Sequence, residues 1–234
     1  MIQLLDRLSI LRQNDTFAAF IVGYQEAIYN PSAMGNLLIP GQVFHDGKVR
    51  IATQIDCDRM NAEANEEFDR VRDKIDASVA GGVHVGDAIL GFPTQDEEEL
   101  AARLGEAMVH FAAVLDTNPI LFIGAYAIPW LQPDNTFHPL DEADQYIRSL
   151  GADDTYVGGF QASGEELKKL TKALFLLVSY NGHLPICYWL SAGKEFFAEI
   201  CEYGDLHFHF YSIDLQEKIL AAAREIGMSE VEQC

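Results

Sequence analysis

The chain has 234 residues, of which 49% are hydrophobic and 22% are charged, and its formal net charge is −20 at pH 7. This composition predicts a globular protein with a buried core and excludes a disordered chain. The excess of acidic residues argues against nucleic acid and against anionic membranes as partners, because both are bound through Lys and Arg. A basic protein is the partner that this charge would attract, and the alternative is that the acidity only aids solubility.

The cysteines and the apolar segments indicate the compartment. The chain contains four cysteines, Cys57, Cys187, Cys201 and Cys234. Their spacing matches neither a zinc knuckle nor a disulfide framework, so we expect a reducing, cytoplasmic setting. The longest apolar run, 120–131, is too short to cross a bilayer. The segment 1–12 mixes leucines with charged residues, which predicts an amphipathic helix rather than a signal peptide.

The first third of the chain carries one clear local signal. Asp46-Gly47 lies between two β-prone runs in the segment 43–51, and Asp-Gly is typical of the turn in a two-residue β-hairpin. The second strand of this hairpin is expected to continue to Ile55. The segment 17–24 fits either a buried strand or a helix. A charged helix is predicted over 60–77.

From about residue 79 onward, predicted strands alternate with predicted helices. Strands are expected at 79–90, 120–127, 184–190 and 206–212. Helices are expected to begin near Thr94, Asp141, Ser163, Lys194 and Asp214. The helix that begins at Lys194 is expected to end at Tyr203. This alternation predicts a mixed α/β or α+β fold, in which helices pack on a mixed β-sheet and an N-terminal β-hairpin is present. We expect one domain over 1–234, with 129–139 and 158–164 as alternative boundaries.

The sharpest candidate for chemistry is the segment 205–211, which is predicted to be a strand. Side chains alternate between the two faces of a strand, so His207 and His209 share one face. Two imidazoles at this spacing can bind one metal ion, with Asp205, His183 or Glu199 as a third ligand. No cofactor motif is identified, and a divalent metal is the candidate. The alternative is a strand whose polar face simply carries two histidines.

Two further patterns contain reactive side chains. Asp56-Cys57-Asp58 follows a predicted strand, where two carboxylates can hold Mg²⁺, and the alternative is a solvated turn. A thiol paired with a histidine can act as a nucleophile, with His84 beside Asp87, or His183, as the base. Cys57, Cys187 and Cys201 are the candidate thiols, and the alternative is that they are inert core residues.

Aromatic side chains are concentrated in one proline-containing loop. They are Tyr126, Trp130, Phe137 and His138. Such a loop can form the wall of a pocket or an interaction surface. The alternative is that these rings cover the edge of the sheet.

The sequence leaves three functional hypotheses open. The first is a non-catalytic acidic protein that binds a partner protein, with a basic protein as the candidate. The second is a metal-dependent hydrolase that uses His207 and His209. The third is a small-molecule sensor domain with the loop 126–138 as its lid. No motif fixes the oligomeric state.

Overall fold

The computed structural model describes residues 1–75, 82–94, 96–133, 135–180, 186–192 and 196–231. These residues form ten strands and seven helices. The strands are β1 (Ile2–Leu5), β2 (Val43–His45), β3 (Val49–Ile51), β4 (Gly86–Gly91), β5 (Ile120–Gly124), β6 (Gly159–Ala162), β7 (Cys187–Ser191), β8 (Phe196–Ile200), β9 (Leu206–Phe210) and β10 (Ser229–Glu230). The helices are α1 (Arg7–Leu11), α2 (Asp15–Ile28), α3 (Gln54–Val71), α4 (Glu97–Val114), α5 (Leu140–Ser149), α6 (Glu165–Tyr180) and α7 (Ile213–Glu225).

Eight of these strands form one large sheet. Their order across the sheet is β1-β6-β5-β7-β8-β9-β4-β10, and each neighbouring pair runs antiparallel. The hairpin β2–β3 is a separate two-stranded sheet. The predicted combination of helices packed on a sheet with an N-terminal hairpin is confirmed. Among the described helices, none combines the length and the apolar character that crossing a bilayer requires.

The large sheet has two faces with different coverings. Alternate strand residues pack with helices α4, α5, α6 and α7 in the larger core, and we call this side the four-helix face. The remaining strand residues pack with α1 and α2 in a smaller core, and we call this side the α2 face. Aromatic rings fill both cores, among them Trp189 and Phe208 on the first and Tyr188 and Phe197 on the second.

A buried ion pair fixes α1 and α2 beside the end of β5. Arg7 donates two hydrogen bonds to the Asp73 carboxylate, at 2.6 and 2.8 Å, and two more to the main-chain oxygens of Gly124 and Tyr126. Gln25 in α2 donates to Asp73 at 2.9 Å and accepts from its main-chain nitrogen. Each buried charge is therefore paired and hydrogen-bonded, which is the condition under which a buried ion pair is tolerated.

The N-terminal third differs from the sequence prediction in its boundaries. The predicted helix over 1–12 is wrong for residues 2–5, which form β1 against β6 before Asp6 caps the short helix α1. The ambiguous segment 17–24 lies within α2. The second hairpin strand stops at Ile51, because Thr53 and Asp56 form a capping box that starts α3. The hairpin loop has three residues, and Gly47 adopts a positive φ of 66° in it.

The largest error concerns residues 194–203, for which the sequence predicted a helix. Residues 196–200 form β8, which pairs with β7 on one side and β9 on the other. Four of its five side chains are buried because each face of the strand packs against a core. The predicted strand over 79–90 begins only at Gly86. Residues 76–81, His183 and Cys234 lie outside the described residues.

Candidate functional site

Strand β9 separates its side chains into a buried set and a polar set. Leu206, Phe208 and Phe210 are fully buried on the four-helix face. His207 and His209 point to the α2 face and are each partly exposed. The alternation follows from the pleat of the strand, in which successive side chains point to opposite sides.

His209 lies between two side chains from neighbouring strands. In the register of the sheet it is opposite Asp87 on β4 and opposite Phe197 on β8. Its Nδ1 atom lies 2.9 Å from Oδ1 of Asp87. The same Asp87 oxygen lies 2.8 Å from Nε2 of His84, which precedes β4. One carboxylate therefore bridges two imidazoles.

These three residues form the His84–Asp87–His209 cluster. Each offers one ligand atom, and the three atoms lie within 4.8 Å of one another. His84 and Asp87 are exposed and His209 is partly buried, so the cluster opens to solvent on one side. Two imidazole nitrogens and a carboxylate oxygen are the ligand types that Zn²⁺ and related divalent transition metals bind.

Aromatic rings hold the two imidazoles in place. The rings of Phe20 and Phe197 lie 5.0 and 4.9 Å from the His209 ring, and Tyr211 meets the His84 ring edge-on at 5.5 Å. Burial lowers the pKa of His209, and the neighbouring Asp87 partly opposes that shift. The neutral imidazole that burial favours is also the form that binds a metal ion.

A second row of side chains crosses the same face beside this cluster. It contains Ile89, His207, Glu199 and Tyr188, which are opposite one another on β4, β9, β8 and β7. Burial raises the pKa of Glu199 to about 7. The Tyr188 hydroxyl donates a hydrogen bond to this carboxylate at 3.5 Å, which lowers the pKa and partly opposes the effect of burial. Burial lowers the pKa of His207, and the charge of Asp205 opposes that shift.

The structure thus brings His209 to partners that the sequence did not assign to it. Asp205 and His207 lie along the same face of β9 but outside the His84–Asp87–His209 cluster. His84 and Asp87 were expected to act together beside a cysteine. Their three-residue spacing was a local signal of pairing, but no sequence pattern placed them next to His209, which is 122 residues from Asp87.

The other candidate residues have structural contacts of their own. Asp56 accepts two hydrogen bonds from Arg50 at 2.6 Å and caps α3, and the Arg50 guanidinium holds its pKa well below the usual range. Cys57, Cys187 and Cys201 are buried, and none of them forms a disulfide among the described residues. Burial raises the pKa of the Cys187 thiol, which keeps it in the unreactive protonated form.

The aromatic residues of the loop 126–138 point in different directions. Trp130 is buried and donates to the main-chain oxygen of Gly158 at 2.8 Å, and Tyr126 packs on Tyr29. Phe137 is exposed, and His138 lies beside Glu142. A cleft of about 860 Å³ adjoins this loop, and its walls include Tyr29, Val71, Ile128, Pro129, Gln132 and Pro133. Its size suits a small molecule, so the sensor hypothesis stays a prediction.

Comparison with known proteins gives this chain no relative. No protein-family model, no curated protein and no solved structure matches it significantly.

Proposed function

We propose that the protein binds one divalent transition-metal ion, with Zn²⁺ as the best fit, through the His84–Asp87–His209 cluster. The observation that supports this proposal is the bridging position of Asp87 Oδ1, 2.8 Å from one imidazole nitrogen and 2.9 Å from the other. A metal ion that replaced the shared protons would meet all three ligands with small side-chain movements. Each neutral imidazole would bind the ion after its N–H proton moves to the other ring nitrogen, and an imidazolium would first have to lose a proton, so the affinity should rise with pH until both imidazoles are neutral.

The open side of the cluster favours a catalytic role over a structural one. Structural zinc sites use four protein ligands, whereas catalytic sites use three and leave one position for water. A metal ion held by these three residues would lower the pKa of a bound water to about 7 and so supply hydroxide for hydrolysis. A metal-dependent hydrolase is therefore the activity that we propose for this site.

Metal content tests the proposal directly. Protein made without an affinity tag is incubated with Zn²⁺ and dialysed, and its zinc content is measured by inductively coupled plasma mass spectrometry. We expect about one equivalent in the wild type and less than about 0.1 equivalent after His209→Ala or His84→Ala, because such sites bind zinc tightly.

His207→Ala is the matched control for this experiment. It removes an imidazole from the same strand and the same face, two residues from His209. We expect His207→Ala to keep its zinc. Loss of zinc in this variant equal to that in His209→Ala, or a wild type without zinc, would refute the proposed ligand set.

The second candidate function is binding of a partner protein, and the hairpin β2–β3 favours it. Val43, Val49 and Ile51 are all more than half exposed on one side of the hairpin. Exposed aliphatic side chains grouped in this way are typical of interaction surfaces. A pull-down that compares the wild type with Val43→Ser/Ile51→Ser tests this role. A basic partner should be retained by the wild type at low salt and be lost from the variant.

A further inference from the structure

The exposed apolar side chains are concentrated in one segment of the chain. Eight of the 16 large hydrophobic residues that are exposed among the described residues lie within the range 28–55. Three of them, Val43, Val49 and Ile51, are on the outer side of the hairpin β2–β3, because side chains at every second position of a strand share a face. Together with His45 they form a surface that we call the hairpin face.

The other side of the hairpin is covered by the chain itself. The Arg50 guanidinium lies over the Phe44 ring, 4.5 Å from its centre, and donates two hydrogen bonds to Asp56 in the first turn of α3. The hairpin face has no such cover within the described part of the chain, where β2 and β3 pair only with each other. A two-stranded sheet is marginal in water until its apolar face is packed, so this face lacks the layer that would complete it.

Charge distinguishes the segment of the hairpin from the rest of the chain. The range 28–55 contains Asp46, Lys48 and Arg50 as its only charged side chains and has a net charge of +1, which leaves −21 on the remainder. Asp46 is paired with Arg50 at 3.4 Å and with Arg59 of α3 at 3.2 Å. Two copies of a protein with a net charge of −20 repel each other unless they meet where acidic side chains are few. The hairpin face is such a place, whereas a basic protein would be drawn to the acidic remainder.

We propose that the hairpin face docks on the hairpin face of a second copy of this chain, around a two-fold axis. Such a contact uses the same patch on both copies, so Val43, Val49 and Ile51 of each copy cover those of the other. The inference rests on the second candidate function and names a second copy, rather than a basic protein, as the partner.

The size of the hairpin face sets the strength of this contact. The hairpin has only three paired residues in each strand, and such a small area is typical of weak and transient interfaces. We expect a dissociation constant on the order of 10 to 100 µM. At lower concentrations the monomer predominates, with the hairpin face open to water.

Sedimentation equilibrium at protein concentrations from about 1 to about 500 µM tests the inference. A chelator is present, so that no metal ion bridges two copies. We expect the average mass to rise from that of the monomer, 26.1 kDa, towards twice that value. Raising the NaCl concentration from about 50 to about 500 mM should tighten the association at least about 3-fold, because salt screens the repulsion between the two acidic copies. The contact with a basic protein would weaken over the same range of salt.

Two double variants separate the hairpin face from exposed aliphatic side chains in general. Val43→Ser/Ile51→Ser should weaken the association more than about 10-fold, because it removes apolar area from both sides of the contact. Val114→Ser/Ile213→Ser removes two exposed aliphatic side chains from α4 and α7 and should change the association less than about 2-fold. Circular dichroism of each variant shows whether the fold is kept.

The outcomes distinguish this inference from the second candidate function. A wild type that stays monomeric, an association that weakens with salt, or equal effects of the two double variants would overturn the inference. If the wild type is monomeric while the pull-down retains a basic partner through the hairpin, the second candidate function stands and only the second copy is wrong. If the wild type is monomeric and the pull-down retains no partner, both are wrong.

Discussion

The two faces of the large sheet differ in what their strands bury. On the four-helix face, β9 contributes Leu206, Phe208 and Phe210, all fully buried. On the α2 face, the same strand contributes His207 and His209, which stay partly exposed. One strand thus has a face that stabilises the fold and a face that carries the proposed ligand His209.

This difference follows from how many helices cover each face. Four helices on one side bury most of the strand side chains, so a polar group in this core would lose its hydration. On the other side, α2 places Phe17, Phe20 and Ile21 over the sheet, where Phe17 and Phe20 contact Phe197 of β8. Ionisable side chains on β4, β8 and β9 therefore keep partial access to solvent, and that is where the candidate site lies.

Truncation of neighbouring residues on β9 is the strongest test of this comparison. Phe208→Ala should cost about 4 kcal/mol, because the ring packs against Phe111 and Trp189 in the core and leaves a cavity. His209→Ala in metal-free protein should cost about 1 kcal/mol. Urea unfolding followed by circular dichroism measures both. Equal losses would mean that the two faces contribute alike to stability.

The buried Arg7–Asp73 pair tests whether α2 is held to its face by charge. Asp73→Asn should destabilise the protein by about 3 kcal/mol, because it leaves the Arg7 guanidinium buried without its counter-charge. Glu67→Gln, which disrupts the exposed pair with Arg70, is the control and should cost less than about 0.5 kcal/mol. Chemical denaturation gives both values. Similar small losses would show that packing alone anchors α2.

The carboxyl of Glu199 predicts how stability depends on pH. Its folded pKa of about 7 lies above the value of 4.5 expected when unfolded. The folded state therefore keeps the proton to a higher pH than the unfolded state does. The contribution of the protonated carboxyl to the free energy of unfolding is complete below pH 4.5 and is lost as the pH rises through 7. The loss should be roughly 3 kcal/mol.

Glu199→Gln cannot ionise and should remove this loss. Free energies of unfolding measured for both proteins from pH 5 to pH 8 should diverge, with the variant more stable at pH 8. Parallel pH profiles would show that Glu199 titrates like an exposed carboxyl.

The smallest effect on stability is expected in the hairpin β2–β3, which is a separate sheet and belongs to neither face of the large sheet. Val49→Thr should change the melting temperature very little and the stability by less than about 0.5 kcal/mol, because Val49 is 72% exposed. A larger destabilisation would mean that the outer side of the hairpin is covered.

Features that depend on neighbouring residues could be predicted from the sequence. The hairpin around Asp46-Gly47 and the alternation along 205–211 are examples, because turn chemistry and strand period are local. The prediction failed at β8, where Phe196, Phe197, Ala198 and Ile200 are apolar on both sides of the strand. A short apolar run buried on both faces has no period that separates strand from helix.

The ligand set could be predicted only in part. The sequence predicted His209 as a ligand and paired His84 with Asp87, both from spacing along the chain. Their meeting depends on β4 lying beside β9 in the sheet, with strands of high sequence number between β5 and β4. Strand order is a property of the whole packed fold, and local patterns do not encode it.

The separation of the ligands along the chain also orders events during synthesis. His84 and Asp87 leave the ribosome together, and His209 follows Asp87 by 122 residues. At about 5 to 20 residues per second, this delay is roughly 6 to 25 s. During that interval the nascent chain presents only two of the three proposed ligands, so a ribosome-bound intermediate should hold zinc far more weakly than the finished protein.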